Sequence, residues 1–113
     1  MSVYVDSARN PFGRLIMCHM WADSLDELLV MADRIGLQRR WLQGPPKAQW
    51  LHFDVSLGFK DKAIARGAVL TDKYGPLEHV AKIDIASGDP ARVKRGEAKL
   101  ALIAECRGLK DQP

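Results

Sequence analysis

A chain of 113 residues, 47% of them hydrophobic, can bury one compact core and is too short for two ordinary domains. Its 17 Lys and Arg against 14 Asp and Glu leave a formal charge of +3, spread along the chain rather than gathered in a run, which permits nucleic-acid binding without indicating it. No stretch approaches the roughly 20 apolar residues of a membrane span, and Asp6 and Arg9 interrupt the place where a secretory leader needs an apolar run, so a cytoplasmic protein with no membrane partner is expected. Cys18 and Cys106 have no close-spaced Cys or His partners of the zinc-finger kind and are expected as reduced thiols.

Val3, Tyr4 and Val5 favour a short strand over Ser2 to Asp6, and Ser7 to Arg14, with Asn10, Pro11 and Gly13, reads as a loop. Leu15 to Trp21 is an apolar run too short for an ordinary helix. A buried strand is expected there, with Met17, His19 and Trp21 on one face and Ile16, Cys18 and Met20 on the other. Ser24 followed by Glu27 forms a capping box, while Leu25, Leu28, Leu29, Ala32 and Ile35 mark one helical face that Gly36 can end. The spacing predicts a helix over 25–35.

Arg40 to Gln43 is expected as a third strand, stopped by the Gly44-Pro45-Pro46 break, and Leu51 to Val55 as another, with His52 and Asp54 on one side. Ser56 can cap a second helix through about Arg66, with Gly67 as its stop and Ala68 to Thr71 as a final strand. This order implies an α/β fold: a small mixed sheet with right-handed parallel crossovers through the two helices. The Ser7 to Arg14 connection falls short of the dozen or so residues of a parallel crossover, so the first two strands are expected to be antiparallel or non-adjacent.

After Lys73 the texture changes. Leu77 to Lys82 suggests one helical turn or two, and Asp89-Pro90 starts a helix to about Glu105, with Val93, Leu100 and Ile103 apolar and Gly96 weakening the middle. Residues 1–73 are therefore read as the α/β domain and 74–113 as a C-terminal helical extension. The three apolar positions should dock on the domain or on a second copy in a homo-oligomer, leaving Arg92, Lys94, Arg95 and Lys99 mainly in water.

Val3-Tyr4-Val5-Asp6, Cys18-His19-Met20-Trp21-Ala22-Asp23 running into Leu25-Asp26-Glu27-Leu28, the exit Arg34-Ile35-Gly36-Leu37, and His52-Phe53-Asp54 followed by Gly67-Ala68-Val69 resemble the bacterial and phage domain-of-unknown-function family 4031. The resemblance spans roughly residues 1–72. It implies a cytoplasmic globular domain of bacterial or phage type and carries no assigned activity.

Asp6, His19, Asp23, His52 and Asp54 form the constellation with chemistry in it, because imidazole nitrogen and carboxylate oxygen serve either as ligands to a divalent metal or as an acid–base pair. His19, Asp23, His52 and Asp54 are the candidate catalytic residues, and His19, His52 and Asp54 the candidate ligands of a divalent metal. Two parallel strands would bring His19 and His52 within about 10 Å at one sheet edge, near a helix N-terminus, and leave Asp6 at the opposite edge. Arg39, Arg40, Trp50 and Lys60 are candidate ligand-binding groups for a nucleotide, another phosphate-containing ligand or nucleic acid. The leading expectation is thus a phosphate-ligand or nucleic-acid-related domain, with a metal-dependent hydrolase as one form of it; the alternative is a non-catalytic binding or assembly protein whose His–Asp pair is a structural hydrogen bond. Walker, Rossmann, nucleophile-elbow and H-E-x-x-H patterns are absent from the sequence.

Overall fold

The computed structural model describes residues 2–110, and the chain divides into two compact units, Met1–Lys73 and Tyr74–Pro113. The first contains β1 (Val3–Val5), β2 (Asn10–Phe12), β3 (Leu15–Ala22), α1 (Leu25–Ile35), a 3-10 turn (Arg39–Trp41), β4 (Phe53–Ser56), α2 (Leu57–Ala65) and β5 (Val69–Leu70). β3 is the centre of a mixed sheet. Met20 pairs with both Val5 of β1 and Phe53 of β4, and Met17 with both Asn10 of β2 and Ser56 of β4, all antiparallel, so β1 and β2 share one edge of β3 and β4 takes the other. β5 adds to β1 in parallel.

The expected pair of parallel crossovers is corrected by this register. β3 and β4 are antiparallel neighbours, because the long segment 36–52 carries the chain back from α1 before β4 begins. Only α2 joins strands that run the same way, β4 and β5. The expected strand at Arg40 to Gln43 is instead the 3-10 turn, closed by Trp41 N–H donating to Gln38 O and Leu42 N–H to Arg39 O; Gln43 alone reaches the sheet, exchanging both backbone hydrogen bonds with His52. Pro45 and Pro46, which carry no amide hydrogen, prevent that ladder from extending. The expected loop Ser7 to Arg14 contains β2: Gly13, at φ 59°, permits the tight turn into β3, and Pro11 is tolerated because β2 is an edge strand.

α1 forms as its caps dictate. Ser24 Oγ accepts from Glu27 N–H and donates to Glu27 Oε1, and Gly36 at φ 80° closes the other end. Leu28, Met31, Ala32 and Ile35 are buried against Val5, Cys18, Met20, Phe53 and Val55 of the sheet, with Ala63 of α2 and half-buried Leu29 completing the core. Burying a side chain such as Leu28 supplies about 1.5–3 kcal/mol. Cys18 and Met20 point into this core, so His19 points away from it.

The second unit pairs α3 (Gly75–Ala86) with α4 (Pro90–Lys110). α3 is a full helix where one or two turns were expected, and α4 runs past Glu105. Asp89 caps α4, its Oδ2 accepting from Arg92 N–H at 3.0 Å. Gly96 has a definite role rather than being a weak point: a Cβ there would lie 2.6 Å from Ala81 O and 2.9 Å from Ile85 Cγ1, so glycine lets the two helices approach. Ile103 is buried while Val93 and Leu100 are half-buried. Arg92 and Arg95, expected mainly in water, keep 42% and 62% of their side-chain surface exposed and also pair with the buried Asp84 carboxylate at 3.1 and 3.4 Å. Among the described residues no helix is long and apolar enough to cross a membrane.

Candidate functional site

Between the residues where β3 pairs with β1 and those where it pairs with β2, the backbone of residues 6–9 leaves the ladder, and the Asp6 side chain fills the gap. Asp6 N–H donates to His19 O at 3.2 Å, His19 N–H donates to Asp6 Oδ1 at 2.9 Å, and His19 Nδ1–H donates to Asp6 Oδ2 at 2.7 Å. Asp6 is wholly buried at the end of β1. A carboxylate only accepts, so the Asp6 contact places the His19 proton on Nδ1 and turns Nε2 outward. The hydrogen bond to Asp6 is the largest influence on this imidazole and holds its pKa above the ordinary 6.5; burial opposes the rise, and the charges of Asp6 and Asp54 add to it.

The antiparallel register sets His19 opposite Asp54. On the neighbouring turn His52 Nδ1–H donates to Trp50 O at 3.0 Å, and the His52 ring stacks on the Trp50 indole at 4.2 Å. That bond places the His52 proton on Nδ1 and leaves Nε2 facing Asp54. Asp54 Oδ1 lies 3.5 Å from His52 Nε2 and 3.9 Å from His19 Nε2, while Asp54 Oδ2 accepts from Gln43 Nε2 at 2.6 Å. The two imidazole centroids are 5.6 Å apart. His52 is 7% exposed at its side chain, against 26% for His19 and 41% for Asp54, so His19 and Asp54 are the members a ligand can reach.

They open into a cavity of about 640 Å³. Its wall is mostly apolar, with Phe12, Leu15, Met17, Leu37, Trp41 and Phe59, and its polar groups include His19, Gln43, Asp54 and Ser56 at the start of α2. This is the usual make-up of a small-ligand site: an apolar body with a few convergent polar groups.

The structure therefore brings together His19, His52, Asp54 and Trp50, and adds Asp6, which the expected topology put at the far edge. Cross-strand pairing does this, not a shared carboxyl edge of parallel strands. Asp23 is elsewhere: its Oδ2 accepts from Ser2 N–H at 2.8 Å and from Tyr4 Oη at 3.3 Å. Arg39 is held by Asp33 through two hydrogen bonds, Arg40 is exposed, and neither they nor Lys60 lines the cavity. Gln43 and Trp41 were missed in the sequence, where nothing in Trp41-Leu42-Gln43 marks a site. Cys18, next to His19, faces the core; burial, followed by the Asp6 charge, pushes its thiol up to about 11, and it donates to Val55 O. Such a thiol is not a nucleophile. Among the described residues no group of three or more His, Cys, Asp or Glu side chains is arranged to hold a metal ion as it stands.

These features define a small mixed α/β domain with a carboxylate-anchored histidine at the mouth of an apolar cavity. Residues 3–82 match the family described as "Protein of unknown function (DUF4031)", and the chain belongs to that family. The match includes the whole site and continues into α3. No curated protein and no solved structure matches the chain significantly.

Proposed function

We propose that the first unit is a small cytoplasmic hydrolase in which His19 acts as general base and then general acid on a ligand held in the cavity. The observation that carries this reading is the 2.7 Å bond from His19 Nδ1–H to the buried Asp6 carboxylate, which leaves Nε2 at the cavity. A carboxylate behind an imidazole fixes its tautomer and stabilises the imidazolium formed when Nε2 takes a proton. His19 would remove a proton from water as the water oxygen attacks the scissile centre, and would return that proton to the leaving group as its bond breaks. Such catalysis contributes about 10²–10⁴ in rate. The free thiols of Cys18 and Cys106 fit a reducing compartment.

A metal-assisted version has one specific support. With both Nδ1 protons engaged elsewhere, two Nε2 lone pairs and Asp54 Oδ1 face one another, an arrangement that needs a proton or a cation among them. After rearrangement, His19, His52 and Asp54 would hold a divalent ion, which would supply polarisation of the attacked group or of the water.

Hydrolysis of p-nitrophenyl acetate, p-nitrophenyl phosphate and bis-p-nitrophenyl phosphate, each in EDTA and with added Zn²⁺ or Mn²⁺, tests both versions. The proposal expects turnover of at least one ester, rising with pH as His19 loses its proton and falling about a hundredfold or more in His19→Gln. Turnover confined to the metal-containing arms selects the second version. Equal rates in wild type and His19→Gln would overturn the proposal and leave a non-catalytic binding protein whose His–Asp pair is structural.

A further inference from the structure

From the charge of the cavity we infer its ligand class: a small organic cation with an apolar, preferably aromatic, body. This deepens the acid–base reading of the same site and rests on it. The polar end presents acceptors. Asp54 Oδ1 makes no bond shorter than its 3.5 Å approach to His52 Nε2, and Gln43, one of whose two amide hydrogens goes to Asp54 Oδ2, also carries a carbonyl oxygen that can accept. No Lys or Arg lines the cavity among the described residues.

The charge balance is negative in either state of His19. With both imidazoles neutral, Asp6 and Asp54 leave two negative charges; with His19 protonated, one remains. This local sign is opposite to the +3 of the whole chain. A phosphate monoester entering here would meet the Asp54 carboxylate with no Lys or Arg to answer it and at most the His19 imidazolium, already shared with Asp6, whereas an amidinium or ammonium would find both a carboxylate and an amide oxygen.

The apolar wall fits the same ligand. Phe12, Trp41 and Phe59 supply aromatic surface, and a desolvated cation gains from the face of such rings. Phe12 and Leu15 are paired across the β2–β3 turn and are exposed at the rim, as is Trp41, so the ligand's apolar body would cover side chains now facing water.

Calorimetric titration of the full chain in EDTA with benzamidinium, benzamide, benzoate and phenyl phosphate tests the assignment, since the four share an aromatic body and differ in charge. Benzamidinium should bind most tightly, benzamide more weakly, and the two anions not at all. Asp54→Asn, folded by its unchanged melting temperature, should weaken benzamidinium about tenfold or more, and Trp41→Ala should weaken it as well. Tighter binding of either anion, no binding of benzamidinium, or equal affinity in wild type and Asp54→Asn overturns the inference. The wild-type comparison of the four probes stands alone if a variant does not fold. Binding is read without turnover, so a negative result here leaves the pH–rate test of His19 intact, and an inactive His19 leaves this one intact.

Discussion

Two carboxylates of the helical pair, Glu78 and Asp84, are answered by permanent cations: the Arg107 guanidinium and the Lys82 ammonium for the first, the Arg92 and Arg95 guanidinium groups for the second. In the sheet unit Asp6 and Asp54 face imidazoles and an amide instead. Arginine keeps its charge at every accessible pH, so the first arrangement is a fixed fastening. Histidine changes charge near neutrality, so the second can give and take a proton. Similar acidic groups thus meet permanent charges in one unit and titrating ones in the other, and the proposed function rests on the second kind.

The largest effect expected from a single change is in the sheet core. Phe53 is fully buried beside the site, and Phe53→Ala should cost about 3–5 kcal/mol in urea unfolding followed by tryptophan fluorescence. A change near zero would remove β4 from the core and with it the support of Asp54. Next comes Gly96→Ala, which forces a methyl against Ala81 O and should cost about 1–3 kcal/mol by thermal melting of the helical circular-dichroism signal. Ordinary helix propensity favours alanine, so a stabilised variant would show that the close approach of α3 and α4 is wrong.

The pH dependence sharpens the contrast, because the two kinds of partner predict opposite signs. His19 has its pKa raised in the folded protein; its contribution is complete below the ordinary 6.5 and is lost as pH rises through the higher folded value. Asp84 is held below its ordinary 3.8, first by its bond to Arg95, and Glu78 below 4.5, first by its bond to Arg107. Their contributions are present above those ordinary values and are lost as pH falls through the depressed ones. Melting temperatures from pH 2 to 9 should therefore fall on both sides, and His19→Gln should flatten only the alkaline limb. Smallest of all is Arg39→Ala: its pair with Asp33 is solvent-exposed at both ends, and the melting temperature should not move.

Local signals in the chain carried much of this fold. The Ser24–Glu27 capping box and Gly36 bound α1 correctly, and Ser56 and Asp89 cap the helices that follow them, because caps act within a few residues of where they are read. Alternation put His19 on the face opposite Cys18 and Met20. The antiparallel run of β1 beside β3 was legible from the short connection, but the direction of β4 was not, since nothing in residues 36–52 announces that the chain doubles back. Asp6 was sent to the far edge because His19 was read as lying at the carboxyl end of its strand, whereas it lies inside β3, opposite Asp6. Gln43 was invisible for a related reason: it enters the site through a single bridge to His52, and one residue pair has no periodicity. Gly96 was misread because a glycine that weakens an isolated helix strengthens a close crossing.

The central claim is that Asp6 holds His19 with its proton on Nδ1 and its Nε2 free at the cavity. Long-range ¹H–¹⁵N correlation spectra of the imidazoles, recorded on the wild-type chain across pH 5 to 9, read the tautomer and the titration together. The account predicts neutral His19 as the Nδ1–H form, titrating above 6.5. Neutral His19 as the Nε2–H form, or a titration at or below 6.5, would contradict it.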